Sequence, residues 1–152
     1  MEALTRDTLQ AWLDEADINH YLCPDCDGLH LSDTEQRLGV LEARLLLEPD
    51  LLSLLTEIAI RPSAVLPIQG SLHLINLDNP MVKCLVNLID DDIPRLLISA
   101  CLPPGGLTEP YFLQWFSRVL DETHSIVEHA SQMDVLYLEQ SEFDGPDSDA
   151  IH

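Results

Sequence analysis

Gly39-Val-Leu-Glu-Ala-Arg-Leu-Leu-Leu-Glu-Pro-Asp-Leu-Leu-Ser-Leu-Leu-Thr-Glu-Ile-Ala-Ile60 is the stretch on which the fold turns. By propensity it is helical, because Leu, Ala, Arg and Glu are all good helix formers. Pro49 stands in its middle, and a proline there would break a helix of that length. Two strands of about nine residues around a Pro-Asp turn fit the segment better. The alternation of Val40, Glu42 and Arg44 with Leu41, Ala43 and Leu45 supports the first strand only weakly. Helix and strand both stay open on the residues alone.

The next stretch, Arg61-Pro-Ser-Ala-Val-Leu-Pro67, is a hinge. Pro62 has no N–H to give, so ordered structure to its left stops there. Ser63 is placed to cap a new helix, with Pro67 in a first turn where a missing N–H costs little. That helix runs from Ser63 to Leu77 and is stopped by Asp78-Asn79-Pro80. Two strands follow, Val82–Ile89 and Pro94–Leu102, around an Asp90-Asp91-Asp92 turn. After the break at Pro103-Pro104-Gly105-Gly106, Thr108 caps a long helix. Phe112, Trp115, Phe116, Val119, Thr123, Ile126, Val127 and Ala130 form its apolar stripe. Val135 to Leu138 is apolar enough to dock. Residues 139–152 read as a disordered acidic tail, leaving 1–138 as one domain.

Toward the N-terminus, Leu9, Trp12, Leu13 and Ala16 repeat at helical spacing behind Thr5, with Leu4 and Leu9 spaced as a hydrophobic staple. His20–Leu22 and Leu29–Leu31 are short strands joined by a turn containing Pro24 and Asp27-Gly28. Helices interleaved with hairpin-linked strands imply an α+β domain with a largely antiparallel sheet.

Charge narrows the function classes. Seven Lys+Arg stand against 27 Asp+Glu, a formal net charge of −20, and Lys83 is the only lysine. Such a surface repels phosphate backbones and anionic membranes, so neither nucleic acid nor lipid is an expected partner. No signal peptide and no membrane-spanning run is visible, and a cytoplasmic location with reduced cysteines is expected.

Cys23-Pro-Asp-Cys26 is the sharpest motif. With His20 and His30 it offers four potential zinc ligands within eleven residues. The usual second pair from a separate element is missing, however. A redox dithiol needs a lowered thiol pKa, which Asp25 and Asp27 oppose. The favoured reading is a hairpin turn with small buried thiols and no cofactor, with zinc or thiol chemistry at Cys23 and Cys26 as the alternative. Cys84 and Cys101 read as core residues. The three aspartates lack the ligand pattern of a calcium loop. His124 and His129 are five apart and do not share a face. No nucleophile–base constellation or phosphate-binding loop occurs, so no enzyme is expected.

Trp12-Leu13-Asp14, Cys23 to Cys26 with Leu29-His30-Leu31, and Arg61 to Pro67 resemble the bacterial YbjN-like family of sensory transduction regulators. The resemblance runs from the first helix through the last, and it tips residues 40–60 to strands. It implies a fold like that of type III secretion chaperones and regulation by protein contact, affecting motility, surface polysaccharide and stress responses. It carries no catalytic residue. On the middle helix, Val65, Ile68, Leu72 and Ile75 fall on one face; Leu66, Leu74 and Leu77, with Gly70 among them, fall on the opposite one. Either the same chain covers that second apolar face or a second copy does. The chaperone-like resemblance favours a homodimer through Leu66, Gly70, Leu74 and Leu77, able to take a further protein or peptide partner.

Overall fold

The computed structural model describes residues 3–88 and 92–138. In chain order they form α1 (Arg6–Glu15), β1 (His20–Leu22), β2 (Leu29–Leu31), α2 (Ser32–Glu35), β3 (Val40–Glu48), β4 (Leu51–Ala59), α3 (Val65–Asp78), β5 (Lys83–Asn87), β6 (Arg95–Leu102) and α4 (Glu109–Gln132). The proposed tail, residues 139–152, lies outside them, as do Asp90 and Asp91.

The decisive stretch is a hairpin. β3 and β4 pair antiparallel from Glu48↔Leu51 up to Val40↔Ile58, with a bulge between Val40 and Glu42. Burial overrides helix propensity here, because period-2 alternation fills a core that a helix could not. Ala43 and Leu45 on β3, and Leu52, Leu54, Thr56 and Ile58 on β4, are all buried on one face of the sheet. Further pairing gives a six-stranded sheet in the order β1-β2-β3-β4-β6-β5, with antiparallel neighbours throughout.

On the core face the sheet packs with Leu9 and Leu13 of α1 and the apolar stripe of α4. The two N-caps are as read: the Thr5 and Thr108 hydroxyls accept from the Thr8 and Tyr111 amides. The opposite sheet face is half-exposed and carries the pairs Arg44–Glu57 (3.4 Å) and Arg95–Glu57 (2.9 Å).

After α4, the chain returns to the sheet. Leu136 bridges Ile60, the Tyr137 amide donates to the Ala59 carbonyl, and the Arg61 amide donates to the Val135 carbonyl. Pro62–Ala64 is a 3-10 turn rather than the start of a Ser63-capped helix, and α3 begins at Val65 without a side-chain cap. Pro62 occupies the first position of that turn, where its fixed φ fits, so Ser63 falls inside it. The Ala64 amide then reaches back to the Arg61 carbonyl and tightens the turn.

Cys101 corrects a second expectation. Leu96, Ile98 and Ala100 are the inward residues of β6, so Cys101 points outward opposite Ser53 and is exposed. Cys84 is buried as expected, and loss of water pushes its thiol up to about 12. β5 is an edge strand. Its Cys84 N–H donates to Asn76 Oδ1 (2.7 Å), and its Cys84 carbonyl accepts from Asn76 Nδ2 (3.0 Å). No helix among the described residues is long and apolar enough to cross a membrane.

Candidate functional site

Two places on this scaffold stand out, one on α3 and one in the β1–β2 hairpin. On α3, Ile68 is buried and Val65, Leu72 and Ile75 are partly buried against the core. The other face is left to solvent: Leu66 is 78% exposed, Leu77 74% and Leu74 53%. A Cβ added at Gly70 would meet no heavy atom within 4 Å, so this face is open to the approach of another backbone. The only acidic residue in α3 is its last, Asp78, and it has no lysine or arginine. Beside it runs a groove of about 470 Å³ between α3 and the end of α4, with Leu74 and Ile75 on one wall, Ile126 and Met133 on the other, and Leu96 beneath.

The hairpin brings three of the four predicted metal ligands together. One ligand atom each of Cys23, Cys26 and His30 lies within 4.8 Å of the other two. The turn that does this is tightly hydrogen-bonded. The Cys23 amide donates to the Gly28 carbonyl (2.9 Å), and the Asp27 amide donates to the Cys23 carbonyl (3.2 Å). Gly28 is needed for space, since a Cβ there would sit 2.9 Å from Leu46 Cδ2 and 3.3 Å from Cys26 Sγ. The expected buried thiols are not buried: Cys23 is half-buried and Cys26 exposed, because the turn lifts them past the end of the sheet. His20 stands apart, its Nδ1 on the Ile18 carbonyl (2.8 Å) and its Nε2 3.6 Å from Asp14.

Sequence reading missed Glu35. It comes from α2, a single polar turn, and its position five residues past His30 gave no signal. Glu35 Oε2 accepts from His30 Nδ1 (2.6 Å) and from the Ala43 amide (3.0 Å), and its Oε1 accepts from the Tyr21 hydroxyl (2.5 Å). Burial works to raise the Glu35 pKa, but hydrogen bonds from Tyr21, Ala43 and His30 outweigh it and hold the carboxyl below its ordinary value. Tyr21 also stacks on the His30 ring, centroids 5.0 Å apart. The imidazole is thus fixed by a carboxylate on one side, with Nε2 turned to Cys26 Sγ at 3.4 Å. Desolvation raises the Cys26 thiol above its ordinary value against a hydrogen bond from the Gly28 backbone, which disfavours a reactive free thiolate.

Tyr21 provides a direct check on this geometry. Its hydrogen bond to Glu35, with some desolvation, pushes its pKa up to about 12, because ionisation would set a phenolate against a carboxylate. Ultraviolet titration should show a tyrosine ionising at about pH 12. Glu35→Gln should return it toward an ordinary phenol, and an unchanged titration would break the assignment.

An antiparallel sheet with helices on its core face, carrying a leucine-rich helix without lysine or arginine and a Cys-Cys-His hairpin, defines a small α+β domain. The profile of the YbjN family, described as "Putative bacterial sensory transduction regulator", matches residues 5–129. The chain belongs to the YbjN family. It is 34% identical over 122 residues to YbjN of Escherichia coli K12, covering 80% of this chain and 77% of that one. The crystal structure of E. coli YbjN, described as "a putative transcription regulator", superposes with a TM-score of 0.83 at 27% identity, covering 90% of this chain and 99% of that one. A protein from Methanothermobacter thermautotrophicus shares the fold at a TM-score of 0.55 and 11% identity, covering 86% of this chain and 99% of that one.

Proposed function

We propose that this protein is a non-enzymatic regulator of the bacterial cytoplasm that works by protein contact, as a chaperone-like homodimer joined through the outer face of α3. The observation that carries the reading is the set of exposed leucines at 66, 74 and 77 on a helix whose only acidic residue is Asp78. Two chains that each carry −20 can approach only where charge is absent. A two-fold pairing sets the same patch against itself, and α3 offers a self-complementary neutral one. Gly70 lets the two backbones come close, and the groove beside Leu74 receives side chains from the second copy. The family's description as a regulator supports the same reading. A place in motility, surface polysaccharide or stress regulation is the finer role that the family likeness suggests.

Leu74→Asp places a charge in that interface, and burying it without a partner is costly. Light scattering on the wild type should give a dimer at micromolar concentration, and the variant should give a folded monomer with an unchanged circular dichroism spectrum. A wild type that scatters as a monomer sinks the proposal.

A further inference from the structure

The Cys-His hairpin is not used by a regulator that works through α3, and its geometry is that of a metal site. We propose that Cys23 Sγ, Cys26 Sγ and His30 Nε2 bind one zinc ion, with Glu35 and Tyr21 as positioning residues and a water or other exogenous donor in the fourth place. Thiolate and imidazole form a donor set that suits zinc, whereas calcium and magnesium take oxygen. The spacing fits as well. Tetrahedral zinc with bonds of about 2.3 Å to sulfur and 2.0–2.1 Å to nitrogen separates S and N by about 3.5 Å. Cys26 Sγ and His30 Nε2 already stand 3.4 Å apart, and Cys23 Sγ lies within 4.8 Å of Cys26 Sγ and of a ring nitrogen of His30.

The surroundings of the ligands carry the argument further than the motif does. A metal-bound histidine almost always donates its other N–H to a carboxylate, a backbone carbonyl or water, which fixes the tautomer and leaves the facing nitrogen with a free lone pair. His30 Nδ1 donates in this way to Glu35 Oε2 at 2.6 Å, and the pair is enclosed, with side chains 5% and 14% exposed. Glu35 is itself held by the Ala43 amide and the Tyr21 hydroxyl. A thiol hydrogen-bonded to a histidine would need neither the second cysteine nor a carboxylate fixed at three points. Because Cys26 is exposed, the fourth position opens to solvent. Binding one Zn²⁺ displaces two thiol protons, so the local charge does not change and affinity falls on acidification.

The test uses the full chain, reduced, incubated with zinc and dialysed, with bound metal then measured per chain. About one equivalent is expected, and cobalt in its place should give intense visible bands of a tetrahedral centre with thiolate charge transfer. The Cys23→Ser, Cys26→Ser double variant should lose both signals. Glu35→Gln should still reach one equivalent at saturation with affinity weakened about 10- to 100-fold, a change that a merely structural carboxylate would not produce. The proposal is overturned by stoichiometry near zero in the reduced wild type. Binding that persists in the folded double variant, or cobalt spectra without charge transfer, also overturns it. None of these readouts depends on whether the chain dimerises, so the site and the α3 interface stand or fall separately.

Discussion

Phe112→Ala should lower the free energy of unfolding by about 3–5 kcal/mol, a large share of what a domain of this size commonly has. Phe112 is completely buried in the first turns of α4. Its ring lies 5.4 Å from Trp12 of α1, 5.4 Å from Phe116 and 6.2 Å from Trp115. Removing it takes away the ring that joins α1 to α4, and neighbours as rigid as two indoles cannot collapse into the space. Trp115 offers less, since it stays 8% exposed. Urea unfolding followed by tryptophan fluorescence measures the change. A loss below about 1 kcal/mol would mean that the aromatic cluster does not anchor the two helices.

Gly39→Ala should cost about 2–5 kcal/mol for two independent reasons. Gly39 holds φ at +85°, where a side chain strains the backbone by about 1–2 kcal/mol. Its new Cβ would also sit 2.8 Å from Leu136 Cδ1, and overpacking of that kind costs about 1–3 kcal/mol. Leu136 belongs to the segment that pairs with Ile60, so the variant should also loosen that closure. Hydrogen exchange would show the second effect as faster exchange of the Tyr137 and Arg61 amides, whose acceptors are the Ala59 and Val135 carbonyls. Wild-type exchange at both amides would show that Leu136 yields without releasing the segment.

Much of this architecture was legible in the residues. Both N-caps, the stripe of α4 and the two hairpins follow from local chemistry that acts the same way in any chain. The β3–β4 pair did not follow from propensity, because leucine serves a helix and a buried strand equally well. What decides it is the rest of the sheet, where eight further register pairs with β6 reward the extended form. Ser63 misled for a related reason: a good capping residue loses to a proline that already occupies the first position of the turn. At the hairpin, the spacing of Cys23, Cys26 and His30 was visible, and so were His20 and its distracting fit to the pattern. Glu35 was invisible, since its role exists only once α2 folds back beside β2. The exposure of Leu66, Leu74 and Leu77 depends equally on which side of α3 the sheet takes.

The two hydrogen bonds between Asn76 and Cys84 have a consequence for how molecules can associate. A strand at the end of a sheet offers its unused N–H and C=O groups to any passing chain and so becomes a seed for endless stacking. The Asn76 side-chain amide answers both groups of Cys84 as a neighbouring strand would, so growth is terminated there by a single residue of the same chain. At the far end β1 is three residues long, too short to template much. Copies of this protein that meet are thereby turned away from fibril-like strand addition.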